Sequence, residues 1–155
     1  MVTFARSIID VTRPPAAVEA ALGHCPAAWL ADLVDQVGKA SSDLLLNLGP
    51  AAAIRRFPVR DEVRVHSLIL LHQDGPLLLP MTLASSAPDA VFATAEADLE
   101  AARHGAGHTR VELSARFTTN PALACDRRVF RWMTQDYTRR LGARIADHLL
   151  GSAAA

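Results

Sequence analysis

Apolar and polar residues alternate most regularly in two neighbouring segments of the second half of the chain. From Phe92 to Arg103, alanines and Leu99 take every second position, with threonine and acidic residues between them. The segment from Thr109 to Thr118 alternates in the same way, with arginine and glutamate on its polar face. A period of two is typical of strands that bury one face. Because Gly105 and Gly107 lie between the segments, the pattern predicts an antiparallel hairpin with one wet face.

Three further segments are predicted to be strands. Val2 to Val11 is rich in β-branched residues and is followed by two prolines, so it is a strand that feeds a helix. Arg60 to His72 is a long extended segment without proline or glycine. The turn residues Asp74-Gly75-Pro76 then bring Leu77 to Ser85 back antiparallel to it.

The helical period appears in three places. Ala16 to Leu22 predicts a short helix, and Pro26 opens a second short helix that Gly38 ends. Pro121 to Leu150 predicts a long helix of about 40 Å, which is long enough to cross the sheet. Its apolar stripe consists of Phe130, Met133, Tyr137, Leu141, Ile145 and Leu149.

Composition and charge limit the class of protein. Half of the residues are hydrophobic and 21% are charged, so the chain folds. Its 155 residues predict one domain over 1–150 with a disordered tail over 151–155. Sixteen basic and sixteen acidic side chains give a formal net charge of zero. The chain as a whole therefore lacks the positive electrostatic potential that would attract nucleic acid or an anionic membrane.

The cysteines, the histidines and the N-terminal segment do not indicate a metal site, a redox motif or a targeting signal. Cys25 and Cys125 lack a C-x-x-C partner and are expected to be buried. The pairs His104/His108 and His66/His72 lack further ligands at a metal-binding spacing, so we expect solvated histidines, no metal and no cofactor. With neither a signal peptide nor a membrane span in the sequence, a cytoplasmic protein is predicted.

Alanine is the dominant hydrophobic residue of the chain, whereas five Phe, two Trp and one Tyr are the only aromatic residues. Small side chains fill volume poorly, so this composition predicts an interior that is partly open. Genomic base composition remains an alternative explanation, because the basic residues are all arginine apart from Lys39.

Three segments carry a resemblance to a known family: Val91 to Glu100 (VFATAEADLE), Thr109 to Leu113 (TRVEL) and Cys125 to Arg131 (CDRRVFR). With the order of elements, they resemble actinobacterial members of the START-related helix-grip superfamily, also labelled SRPBCC or polyketide cyclase/dehydrase-like. The resemblance implies an α+β fold in which a curved antiparallel sheet of six or seven strands grips the long C-terminal helix, with two short helices after the first strand. It also implies a hydrophobic cavity that binds lipids, sterols or polyketides, and it transfers no catalytic residue.

Strand alternation and the helical stripe together predict which side chains face that cavity. The predicted ligand-binding residues are Val63, Val65, Ser67, Ile69, Leu79, Met81, Leu83, Ala95, Ala97, Leu99, Val111, Leu113, Phe117, Phe130, Met133, Tyr137 and Leu141. A solid core made of the same residues is the alternative. Tyr137 is the best polar candidate, with its hydroxyl either directed inward or in water at the rim. Ser67 and Thr82 are further candidates for orienting a ligand oxygen.

Three function classes remain open at this point. The first is a carrier or sensor of an apolar small molecule, the second a polyketide cyclase, aromatase or hydrolase that uses the same cavity, and the third an interaction module or homodimer without a ligand. Arg127, Arg128 and Arg131 are unusual, because cations at a helix start oppose its dipole. They are either partners for a phosphate or an acidic group, or an ordinary solvated face.

Overall fold

The computed structural model describes residues 1–46, 56–70, 75–119 and 126–151. These residues form six strands and three helices, with a 3₁₀ turn at Arg60–Glu62. The elements in chain order are β1 (Val2–Val11), α1 (Pro15–Gly23), α2 (Pro26–Leu46), β2 (Val63–Val65), β3 (Ile69–Leu70), β4 (Leu77–Ala84), β5 (Phe92–Arg103), β6 (Thr109–Thr119) and α3 (Arg127–Gly151). None of the described helices is both long and apolar enough to span a bilayer. Cys125 and residues 152–155 lie outside the described ranges.

The strands form one curved antiparallel sheet in the order β1-β6-β5-β4-β2, and β3 also pairs with β4. Helix α3 packs across β1 and β6, and α2 packs against α3 and β2. The sheet buries one face because its strands alternate, and α3 buries its apolar stripe against that face. The predicted α+β fold, a curved sheet around a long C-terminal helix, is confirmed.

The strand register aligns the inward side chains of β4, β5 and β6 in rows. The first three rows are Leu83–Ala95–Phe117, Met81–Ala97–Ala115 and Leu79–Leu99–Leu113. Ala5 of β1 pairs with Ala115 and extends the middle row, so three adjacent strands contribute alanine there. All three alanines are buried. The middle row is therefore the part of the inner sheet face with the shortest side chains.

Helix α3 also covers the edge of the sheet at β1. The Gln135 side chain accepts a hydrogen bond from the Arg6 backbone N–H (3.3 Å) and donates one to the Arg6 carbonyl (2.9 Å). Thr3 and Thr134 are joined by a hydroxyl–hydroxyl bond of 3.1 Å. A Cβ at Gly142 would lie 2.6 Å from the Ser7 hydroxyl, so glycine permits the close approach. The two Gln135 bonds occupy backbone groups of Arg6 that would otherwise be open to another strand.

The second helix is not short, and Gly38 does not end it. The helix continues to Leu46, so it includes the first residues of the apolar run from Leu44 to Leu48. The remainder of that run lies outside the described residues. A Cβ at Gly38 would lie 2.2 Å from the Pro58 carbonyl oxygen. The glycine therefore admits a crossing chain segment, and hydrophobic packing of the helix offsets its low helix propensity.

The long strand predicted before the hairpin turn is two short strands whose registers differ by one residue. Val65 pairs with Met81, whereas Ile69 pairs with Leu78. A shift of one residue moves side chains to the opposite face of a sheet. Ser67 and Ile69 are consequently exposed, and their predicted inward orientation is wrong.

Strand β5 starts with an irregularity that the simple alternation missed. The register of β5 against β6 shifts between Phe92 and Thr94. The shift leaves Ala93 half-buried and turns Phe92 inward, where its side chain is 1% exposed. The predicted inward position of Ala93 is therefore wrong, because an irregularity of this kind resets the period-two pattern.

Candidate ligand-binding site

Most of the predicted ligand-binding residues lie together in one continuous core between the sheet and α3. The buried members are Leu79, Met81, Leu83, Ala95, Ala97, Leu99, Val111, Leu113, Phe117, Phe130, Met133, Tyr137 and Leu141. Val63 and Val65 are half-buried and pack against this core. Ser67 and Ile69 do not join it, for the register reason given above.

Four aromatic side chains meet at one end of this core, and we call them the aromatic cluster: Phe57, Phe92, Phe117 and Tyr137. Phe57 stacks on Tyr137, with ring centroids 4.9 Å apart and planes inclined by 11°. Phe92 and Phe117 contact the Tyr137 ring edge-on, at centroid distances of 6.1 and 6.4 Å. Three of the five phenylalanines of this chain thus surround its one tyrosine.

Phe57 is held in the aromatic cluster by α2. Its backbone N–H donates to the Ser42 hydroxyl at 3.0 Å, and that hydroxyl donates to the Gly38 carbonyl at 2.6 Å. The carbonyl of the next residue, Pro58, packs against Gly38. The sequence pattern did not indicate Phe57, because this residue belongs to no periodic segment. The one signal was a glycine inside an otherwise regular helical pattern, which indicates close backbone approach.

The Tyr137 hydroxyl is the exceptional polar group of the core. The residue is 1% exposed, and its hydroxyl has no hydrogen-bond partner among the described residues. Burial raises the pKa of the phenol far above its ordinary value, and the negative charge of Glu62 raises the pKa further. The group is therefore a protonated donor at neutral pH. Leaving a hydroxyl buried and unpaired costs about 1–3 kcal/mol.

The carboxylate that acts on Tyr137 is itself fully engaged. Glu62 accepts hydrogen bonds from the Arg56 guanidinium (2.9 Å), the Ser85 hydroxyl (2.7 Å) and the Val59 backbone N–H (2.9 Å). These three donors fix the carboxylate and occupy both of its oxygens. We therefore assign Glu62 a structural role that ties the 3₁₀ turn to Arg56 and to the end of β4.

The other buried hydroxyls of α3 differ from Tyr137 because they have partners. Thr134 donates to the Phe130 carbonyl at 2.9 Å, and Thr138 donates to the Thr134 carbonyl at 2.7 Å. Both bonds close within the helix. The Tyr137 hydroxyl thus lacks a partner among the described residues, whereas the neighbouring hydroxyls of Thr134 and Thr138 have one.

The remaining polar candidates lie away from the core. Thr82 bonds to the His66 ring at 3.1 Å on the exposed side of the sheet, so its predicted ligand contact is wrong. His104 contacts the Arg110 guanidinium at 3.0 Å and, like His108, is exposed. Within the described ranges, no group of three or more His, Cys, Asp or Glu could hold a metal ion.

A separate groove of about 790 Å³ lies where α1 and α2 meet the C-terminal end of α3. The Trp29 ring stacks on the His148 ring there, with centroids 4.5 Å apart and planes inclined by 17°. The indole N–H of Trp29 is buried and lacks a partner among the described residues. Arg13, also in the groove wall, donates to the Leu149 carbonyl at 2.6 Å.

Cys25 lies at the rim of this groove and is exposed, so its predicted burial is wrong. It precedes Pro26 at the start of α2, and its carbonyl accepts the hydrogen bonds of the first turn. Its φ of 46° is in the left-handed region.

The chain is similar to solved structures over nearly its whole length. The aromatase/cyclase Zhui from Streptomyces sp. R1128 matches with a TM-score of 0.51 at 12% identity, over 99% of this chain and 94% of that one. Ara h 8.0201 matches with a TM-score of 0.44 and TTHA0849 from Thermus thermophilus with 0.48, each at 12% identity over 97% of this chain and 99% of theirs.

No protein-family model matches the chain, and neither does any curated protein sequence. At 12% identity the structural likeness shows the fold alone. The chain has the helix-grip fold, as its resemblance to the START-related superfamily implied.

Proposed function

We propose that this protein binds an apolar small molecule that carries at least one hydrogen-bond acceptor, and that it acts as a carrier or sensor. The binding site lies between the inner sheet face and α3, next to the aromatic cluster. The unpaired Tyr137 hydroxyl carries the proposal. A ligand oxygen that accepts its hydrogen bond would offset the free energy of burying it.

The surroundings of Tyr137 support an apolar ligand. The Phe57 and Phe117 rings offer apolar faces and edges, and the row of Ala5, Ala115 and Ala97 has the shortest side chains on the inner sheet face. Apolar sites with few, well-placed polar groups are typical of small-molecule binding. The proposed ligand is therefore a lipid, a sterol or an aromatic polyketide with one oxygen at its buried end.

A binding role fits this geometry better than catalysis does. General acid–base chemistry on a polyketide needs at least two polar groups that converge on the substrate. The aromatic cluster supplies one such polar group, the Tyr137 hydroxyl. Glu62 does not supply a second, since its carboxylate is held by Arg56, Ser85 and Val59. Tyr137 can donate a hydrogen bond, but its raised pKa makes the phenolate base inaccessible at neutral pH.

The experiment is a titration of delipidated protein with fatty acids, sterols and aromatic polyketides, the last included because an aromatase/cyclase shares the fold. We expect at least one saturable ligand. Tyr137→Phe should weaken its binding by about threefold to tenfold, the contribution of one hydrogen bond. Trp29→Phe is the matched control, because it also deletes an unpaired polar atom from a buried ring, yet lies at the separate groove. Absence of any saturable ligand, or equal losses in the two variants, would contradict the proposal.

A further inference from the structure

The first two turns of α3 present an exposed surface to which the described part of the chain makes no ion pair. Its members, Arg127, Arg128, Val129, Arg131 and Trp132, form what we call the arginine–tryptophan patch. Trp132 is 50% exposed and Val129 is 44% exposed, and all three arginines are exposed. Residues three or four positions apart share a helix face, so Arg128, Arg131 and Trp132 are neighbours. The opposite side of the same turns is buried through Phe130 and Met133, which fixes the patch outward.

The patch arginines have no ion-pair partner among the described residues. The closest carboxylates in sequence are engaged elsewhere. Asp126 caps the helix, since its side chain accepts the backbone N–H groups of residues 128 and 129 at 2.7 and 3.4 Å. Asp136 is held by Arg139 and Arg140, each at 2.7 Å.

The positions of these cations are unfavourable for the helix itself. The start of a helix carries a partial positive charge, which disfavours arginine within the first turn. Several arginines elsewhere on the surface are paired instead, although Arg64, Arg103 and Arg144 also lack an ion-pair partner among the described residues. The pairs on the outer sheet face are Arg6–Glu112, Arg110–Asp10 and Arg116–Glu96. The patch therefore concentrates positive charge that no described carboxylate neutralises.

We infer that this patch docks the protein onto a bilayer surface that contains anionic phospholipid. Arginine is attracted to such a surface, and tryptophan favours the interface between headgroups and acyl chains. Trp132 and Val129 favour a bilayer over nucleic acid. Nucleic acid has no apolar layer in which the half-exposed Val129 side chain could be buried. The zero net charge of the chain is compatible with this, because screening limits the attraction to about 10 Å from the patch. The inference does not depend on the proposed ligand.

The chain allows a direct optical test, because it has only two tryptophans and Trp29 is 8% exposed. In the Trp29→Phe background, fluorescence reports Trp132 alone. We expect a blue shift on adding vesicles of equal parts phosphatidylglycerol and phosphatidylcholine, no shift with phosphatidylcholine alone, and reversal by high salt. The triple variant R127Q/R128Q/R131Q should bind the anionic vesicles on the order of a hundredfold more weakly, since each arginine contributes about fivefold.

The matched control is R139Q/R140Q/R144Q, which removes the same charge from the same helix beyond the patch. It should retain most of the vesicle binding, and circular dichroism should show that both triple variants remain folded. Trp132→Ala, followed by sedimentation with the vesicles, should also bind more weakly. Equal losses in the two triple variants, binding to phosphatidylcholine alone, or a blue shift with duplex DNA but not with vesicles would overturn the inference. The ligand titration contains no vesicles, so either proposal can fail alone.

Discussion

Tyr137 and Trp29 are both buried aromatic residues with a polar atom that lacks a partner among the described residues, yet their surroundings differ. Tyr137 is 1% exposed and is surrounded by the rings of the aromatic cluster. Trp29 is 8% exposed and stacks on His148 in the wall of an open groove.

The comparison shows why one unpaired group indicates a ligand and the other does not. The groove beside Trp29 also contains Arg13, His24 and Asp32, so water and small side-chain movements can reach the indole. Tyr137 does not line this groove, and among the described residues its ring is enclosed by the aromatic cluster. An acceptor that enters the core would satisfy its hydroxyl, and this makes Tyr137 the centre of the proposed site.

The largest expected effect comes from removing the ring on which each residue stacks. Phe57→Ala should lower the free energy of unfolding by about 3–5 kcal/mol, because Phe57 is 3% exposed and its loss leaves a cavity. His148→Ala should cost only about 1 kcal/mol, because His148 is half-buried at the groove. Urea unfolding measures both. Equal costs would mean that the two environments do not differ as described.

A smaller effect of opposite sign is expected at Tyr137 itself. Tyr137→Phe removes an unpaired hydroxyl with little change in ring volume, so the ligand-free protein should gain about 1 kcal/mol of unfolding free energy. Trp29→Phe should lose about 1 kcal/mol, since the smaller ring leaves space behind. Thermal and urea unfolding of delipidated samples give both values. A clear destabilisation by Tyr137→Phe would reveal a protein partner for the hydroxyl.

The smallest effect is the pH dependence at the groove. Burial lowers the pKa of His148 below its ordinary value of 6.5, so the unfolded chain takes up the proton first as the pH falls. Stability should therefore decline as the pH drops through 6.5 and stop declining below the folded-state pKa. Glu112 and Asp136 have lowered pKa values and contribute only at more acidic pH.

Urea midpoints at about pH 7.5 and about pH 5.5 isolate this histidine window. The decline should be smaller in His148→Gln and unchanged in His66→Gln, whose ring lies on the exposed side of the sheet. A full decline that persists in His148→Gln would assign the pH dependence to another group.

The sequence predicted the regular parts of this fold well. The bounds of β1 and β5 agree with the structure, because alternation or β-branched residues continue through both strands without a break. The core positions of β4, β5, β6 and α3 followed from the same periods.

Irregular backbone explains what the sequence did not predict. A one-residue shift exposed Ser67 and Ile69, and another at the start of β5 turned Phe92 inward. Phe57 reached the site through a crossing of two segments at Gly38, which only tertiary contacts define. The helical position of Tyr137 was enough to select it as a candidate site residue. That its hydroxyl lacks a partner among the described residues could be seen only in the structure.

The most direct test of the proposed site is a high-resolution crystal structure of the protein purified without delipidation. We predict density for an apolar molecule between the sheet and α3, with one of its oxygens within hydrogen-bond distance of the Tyr137 hydroxyl. A filled interior, in which that hydroxyl bonds to a protein atom or to an isolated water, would contradict a ligand-binding role.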